Sequence, residues 1–381
     1  MHLISNPSTG YSHLWFGRYN DSEFQDISLY TNRVRCPFSR QYNINIYNFF
    51  RTLFRKSYRK DLSIRLNSAV ALSFKSMFTL NRYQKVFPIT IGALLLLSSS
   101  MYFPAHAQSV LKTLSVDDPA GVVLDLKGNA YIVETGKDRI LQFSSNGTLI
   151  RTWGSSGSGP GQFNNPIGIT LDYTRGYVYV TDTGNDRVQK FTSDGKFVAM
   201  WGSSGSGPGQ FQTPIGIDED ESKQNVYVTD VGNNRVERFS SNGLFVGQWG
   251  SLGSGPGQFA NPGRVAVDPA GNLFVADFGN NRIQKFDENG KFLMTWGSLG
   301  SGNGQFYNPT GMTVVFPKGN VYVADTGNSR IQEFSNDGKF INKWSINTAT
   351  GSIDNIDIDV NSKGIIYLTD RAADQVLVIS P

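Results

Sequence analysis

A block of about 48 residues recurs along the last two-thirds of the chain, and it limits the fold more than any single residue does. Tryptophans close successive blocks at Trp153, Trp201, Trp249, Trp296 and Trp344. A repeat of this length with strand-like content marks an architecture whose units cannot bury their own faces, so that neighbours must stack. Within one block, PIGITLD (166–172), YVYVTD (177–182), RVQKF (187–191) and KFVAMW (196–201) alternate with TRG, TGND and TSDG. Short β-rich runs separated by Gly, Asn and Asp turns predict four antiparallel strands per block, the unit of a propeller blade. The runs are too short for helix pairs.

The turn after the second strand counts the blades. It runs from Glu134 to Arg139, then Asp182 to Arg187, Asp230 to Arg235, Asp277 to Arg282 and Asp325 to Arg330, with a degraded sixth copy from Asp370 to Gln375. The sixth block offers strands near 355–360, 365–369 and 375–379 but no fourth. A β-like run at 110–116 precedes the first block, and its pairing with the last would close the ring and remove open sheet edges.

The pattern P-x-G-I-x-x-D…G-x-V-Y-V-x-D-T-G-N-x-R-I-Q-x-F resembles the NHL repeat across residues 110–381. It departs from that pattern in blade one, where Glu134 and Lys137 replace Asp and Asn, and in blade six, where Gln375 replaces Arg. The resemblance implies an all-β, six-bladed β-propeller of four-stranded antiparallel blades. An N-terminal extension with one hydrophobic helix is expected ahead of it.

That extension has its own composition. Residues 1–107 hold 13 Lys and Arg against 4 Asp and Glu, while 108–381 hold 22 against 27. A basic flank (Arg82, Lys85), the apolar run 86–97 and Ala105-His106-Ala107 before Gln108 form a secretory signal. Residues 77–107 are therefore read as a signal peptide, or as a membrane anchor through 86–103 if uncleaved, and 108–381 as an exported propeller, secreted or at the cell surface. Met77 is a natural initiator, so 1–76 reads as an over-extended start that is basic and largely unstructured. A basic arm for nucleic acid or lipid headgroups is the alternative.

His2, His13, His106 and Cys36, the full set of histidines and cysteines, all precede Gln108. The ring thus lacks the residues for Ser-His-Asp or Cys-His catalysis and for imidazole or thiolate zinc sites. No cofactor is expected; what remains is oxygen-only chemistry, such as a calcium site or a carboxylate general base. Asp354, Asp357 and Asp359, with Asp117 and Asp118 nearby in the closed ring, are read as solvated carboxylates of a degenerate blade. Asp218 to Glu221 is read as an exposed loop.

A residue present in every blade serves the blade. The pairs Asp182–Arg187, Asp230–Arg235, Asp277–Arg282 and Asp325–Arg330 are expected to tie each turn to its strands, at ~0.2–1 kcal/mol each if exposed. The block-closing tryptophans read as buried packing anchors, and Phe163, Phe211, Phe259 and Phe306 as plugs between blades. The glycine-rich loops, such as 154–163, read as linkers without the Gly-Lys-Ser/Thr of a phosphate loop.

Departures from the repeat are the better site candidates. The glycine of P-x-G becomes Arg264 in blade four and, approximately, Asn355 in blade six. The residue after the turn Asp is Thr in three blades but Val231, Phe278 and Arg371 in the others. In a meander the glycine loops and the Thr-Gly-Asn turns share one face, so these residues gather there, a mixed apolar and Arg patch of the kind that anchors partners. Asn146-Gly-Thr148 is a glycosylation candidate.

The expected function is a non-catalytic, extracellular or envelope-associated interaction module for an unidentified protein, peptide or glycan. An oxygen-ligand, calcium-assisted lactonase or hydrolase is the alternative. RNA binding fits less well, because export and an acidic ring oppose phosphate contacts.

Overall fold

A computed structural model describes residues 2–6, 11–15, 109–346 and 357–380. The chain divides into two units, Met1–Ser100 and Met101–Pro381. In the first, His2–Asn6 pairs antiparallel with Tyr11–Trp15. The hydrophobic segment 86–103 and the remainder of 1–107 lie outside the described residues.

The second unit is a six-bladed propeller. Six four-stranded antiparallel sheets follow one another, each a simple meander, and the sixth takes its fourth strand from Ser109–Ser115. Blade two is typical, with strands Pro166–Asp172, Tyr177–Asp182, Arg187–Thr192 and Phe197–Trp201. Blade six has Ile358–Val360, Ile366–Asp370 and Gln375–Ser380. The chain's first propeller strand therefore closes the ring on its last blade.

Each blade forms as its sequence directs. The turn between strands two and three, a short 3-10 segment in every blade but the third, ends in a residue of left-handed conformation, for example Asp186 with φ 49°. The six corner residues are Asp138, Asp186, Asn234, Asn281, Ser329 and Asp374, mostly the Asx residues that tolerate this region. Between blades, Phe163, Phe211, Phe259 and Phe306 are wholly buried. Each packs on a strand-three phenylalanine of the blade it enters, as Phe211 does on Phe239 with ring centroids 5.5 Å apart.

The tryptophans differ from the expectation of full burial. Trp153, Trp201, Trp249 and Trp296 are only partly buried, because they lie on the outermost strand and cover the blade junction from outside. Trp249 lies 6.2 Å from Phe286 of the next blade, and a Cβ on Gly290 would come within 2.4 Å of its indole.

Candidate functional site

The repeated Asp–Arg pairs are buried, not exposed. Asp182, Asp230, Asp277 and Asp325 have no solvent exposure, and the four Arg Nε–carboxylate distances run from 2.6 to 2.9 Å. The remaining guanidinium donors are engaged by the glycine loop. Arg187 donates to the carbonyls of Ser158 at 2.6 Å, Gly159 at 3.0 Å and Gln162 at 2.9 Å. Arg235, Arg282 and Arg330 repeat the set. These arginines weld loop to turn and offer a ligand nothing. The bonds also place the glycine loops and turns at one end of the propeller.

The departures converge at that end. Val231, Phe278, Arg264 and Arg371 line a single cavity of about 250 Å³, together with Ile167 and Ile215 of blades two and three. Arg264 is 6 % exposed and forms the floor, where its Nη2 lies 2.6 Å from Asp357 Oδ2. Among the described residues this carboxylate is its one polar partner, so most of its five N–H donors remain available to the cavity. Arg371, nearer the rim, is paired with Asp118 through Nε and Nη2.

Asn355 lies outside the described residues, and the register corrects the sequence-based alignment at that point. Ile358 pairs with Leu368, two residues before the turn Asp370, as Ile169 pairs with Val180 before Asp182. The residue of blade six at the glycine position is therefore Asp357. The signal was in the spacing: Asp357 precedes Asp370 by the same 13 residues that separate Arg264 from Asp277. The two blades that lose the glycine thus carry opposite charges, and those charges meet. Glycine elsewhere makes room for them. A Cβ on Gly168 would stand 2.1 Å from the Ile215 carbonyl and 3.1 Å from Arg264 Nη1, and one on Gly121 would stand 3.2 Å from Nη2.

Asp357, Asp359 and the run Asp218–Asp220 are not solvated loop carboxylates, whereas Asp117 and Asp118 are partly exposed and Asp354 lies outside the described residues. Asp357 is 5 % exposed and its Oδ2 accepts the Val122 amide at 3.0 Å, while Asp359 accepts the Leu124 amide at 2.8 Å and the Thr313 hydroxyl at 2.9 Å. Burial pushes Asp357 above its ordinary range against the pull of Arg264, and pushes Asp359 up to about 7. Asp218–Asp220 ends the first strand of blade three, with Glu219 and Asp220 buried. Asp218 accepts from Thr170 and from the Val267 amide, both at 2.8 Å. Isolated carboxylates bridging neighbouring inner strands are hard to separate by sequence from loop charges. Here the strand simply runs three residues longer than the apolar pattern.

At the opposite end of the propeller, Asp172, Glu219 and Glu221 bring carboxylate oxygens within 4.8 Å of one another, the set with the best claim on a calcium ion. Arg175 already sits among them, 2.8 Å from Asp172 and 3.3 Å from Glu219. Burial together with the Asp172 carboxylate pushes Glu219 up to about 8. Asn146 stands exposed in its turn, its side-chain oxygen accepting the Thr148 amide at 3.1 Å.

Comparison with known proteins agrees with this architecture. The NHL repeat model matches residues 259–286 and 306–334, and a 6-bladed beta-propeller model matches 165–241. Among solved structures, the selenomethionine-substituted virginiamycin B lyase from Staphylococcus aureus aligns over 72% of this chain and 99% of its own, at 14% identity and a TM-score of 0.51. A streptogramin B lyase aligns over 71% and 83%, at 14% identity and 0.53. The hydrazine synthase of Kuenenia stuttgartiensis aligns over 70% and 96%, at 12% identity and 0.50. At such identities the likeness is one of fold. No curated protein matches the sequence. By its repeats and its architecture, the chain is an NHL-repeat six-bladed β-propeller.

Proposed function

We propose that the propeller is a non-catalytic interaction module of an exported protein, secreted or held at the cell surface, which binds a protein, peptide or glycan on the face bearing the Thr-Gly-Asn turns. One observation carries this reading: five departures from an otherwise regular repeat, drawn from three blades, line the same cavity. The ring has neither histidine nor cysteine, and its repeated Asp–Arg pairs are fully engaged, which supports binding over catalysis. The cavity joins apolar walls to a buried guanidinium, the composition that anchors partners.

The test is affinity capture from the envelope and medium of the producing cells, with the intact protein beside a Val231→Thr/Phe278→Thr variant. Thr fills this position as Thr135, Thr183 and Thr326 in three other blades, so the variant retains a native turn. A partner held by the intact protein and lost by the variant supports the reading. A partner held equally by both removes it. Export is tested by the N-terminus of the protein recovered outside the cell, expected at Gln108.

A further inference from the structure

The turn-bearing face is divided. At the corner position that ends each turn, blades six, one and two carry Asp374, Asp138 and Asp186, while blades three, four and five carry the neutral Asn234, Asn281 and Ser329. The strand leading into blade one adds Asp117 and Asp118 to the acidic half. Apart from the acid–Arg pairs of blades one and two and the buried Asp370 of blade six, which bonds to Gln375, the cations there are Lys137 and Arg371, leaving five carboxylates against two.

The neutral half is apolar. Position 156 of the glycine loop is Ser, as is its counterpart Ser204, but the loops entering blades four and five place Leu252 and Leu299 there. These leucines are 72% and 65% exposed. Their loops bond to the turns of the same blades, through Asn280 to Gly253 and Asn328 to Gly300, which fixes them on the turn-bearing end. Tyr307, 48% exposed, lies on that end of blade five beside the turn glycine Gly327. The cavity, with Val231 and Phe278, stands between the two halves.

Resting on the interaction reading above, we propose that the occupant is an extended peptide segment of a partner protein. It seats an apolar side chain in the cavity, runs over Leu252 and Leu299, and lays a basic residue on the acidic half. The charge of the face selects this occupant. A net negative half repels phosphate and sulfate, and exposed leucines give a sugar hydroxyl no partner. At the cavity floor, Asp357 already neutralises Arg264, so its spare N–H donors suit a neutral acceptor such as a backbone carbonyl rather than an anion.

The test uses the purified full chain and fluorescein-labelled nonapeptides of one scaffold: a Leu-Leu anchor, a Gly-Ser spacer, and a terminal Lys-Lys, Ser-Ser or Glu-Glu pair. Anisotropy should show the Lys series binding about five-fold tighter than the Glu series, with the gap closing as salt rises to roughly 0.3 M. Leu252→Ser/Leu299→Ser, which installs the residue of the other loops, should weaken all three series about five-fold. Asp117→Asn/Asp186→Asn should lower affinity for the Lys series alone. Equal affinity for Lys and Glu peptides, or indifference to the leucine variant, overturns the proposal. An oligosaccharide panel bound by the intact chain and lost by Val231→Thr/Phe278→Thr would overturn it while sparing the interaction reading. Binding to neither panel, with no partner captured, would remove both.

Discussion

Blade three departs from its neighbours at a buried position, and the consequence for stability is calculable. Gln189, Gln284 and Gln332 each accept the amide of a loop glycine at 2.9 Å and donate to the turn carboxylate, for example Asp182 at 2.9 Å. Blade three has Glu237 there, fully buried, accepting the Gly209 amide at 3.0 Å and sharing Arg235 with Asp230. Two carboxylates therefore draw on one guanidinium. Burial, reinforced by Asp230 against the pull of Arg235, pushes Glu237 up from 4.5 to about 7. Because its proton is held more tightly in the folded chain, stability falls as pH rises from about 4.5 through about 7. At 1.36 kcal/mol per pH unit, the penalty at pH 8 is on the order of 3 kcal/mol, and sharing between the coupled carboxylates brings it nearer 1–3. Glu237→Gln restores the amide donor toward Asp230 and removes the titration. Calorimetry at pH 5 and pH 8 should show the variant more stable at pH 8 by about 1–3 kcal/mol, or roughly 2–9 °C in Tm, with little gain at pH 5. An equal gain at both pH values, or none, would refute the argument.

Other consequences follow from the same geometry. Arg264→Met keeps the bulk at the axis but leaves Asp357 buried and unpaired, and should cost about 3 kcal/mol at pH 8 and progressively less as falling pH protonates the carboxyl. Adding Asp357→Gly, which installs the residue of Gly168 and Gly216, should recover at least half of that by urea denaturation; a strictly additive loss would show that the pair does not interact. Phe211→Ala should cost about 3–5 kcal/mol and the half-buried Trp249→Ala about 2, so the reverse order in melting experiments would contradict the assignment of plug and cover. Deleting 109–115 should expose the edge of Gln375–Ser380 and yield aggregation on size exclusion; a monomer with unchanged melting would deny its closing role.

Legibility in the sequence followed periodicity. The 48-residue spacing, the turn residues and the missing sixth-block strand were enough to place six blades and their closure, because each repeat supplies its own independent copy of the signal. Packing depth was not legible in the same way. Asp218 and Glu219 read as loop charges because nothing in one strand's sequence says that a neighbouring inner strand will offer Thr170 or the Val267 amide. Asn355 was chosen over Asp357 because blade six lacks the Pro of Pro-x-Gly that marks the position elsewhere, and its hairpin, like that of blade four, is one residue shorter than in blade two. The departures Val231, Phe278 and Arg264 were visible as breaks in a pattern. The ion pair that links two of the breaks required the register.

The cavity and the ring closure are one piece of structure. Four of the blade junctions are filled by the repeated phenylalanine plugs, but no glycine loop precedes blade one, and its junction with blade six has none. Alongside aliphatic side chains such as Leu114, Val122 and Val376, carboxylates of blade six reach the backbone of blade one there, Asp357 to Val122 and Asp359 to Leu124. Asp118 answers in the other direction, pairing with Arg371 and donating its amide to Asp374 at 2.9 Å. Asp357 and Arg371 are also the blade-six contribution to the cavity, one at its floor and one at its rim. A departure that holds the seam thus also shapes the site. Local opening of the seam would loosen Asp357, whose Oδ2 meets both the Val122 amide and Arg264, while the plugged blades remain packed, so loss of the cavity should precede global unfolding. The repeat fixes the scaffold, and blade six, beside a junction outside it, adds Asp357 and Arg371 to a cavity whose other divergent residues, Val231, Arg264 and Phe278, stand in blades three and four.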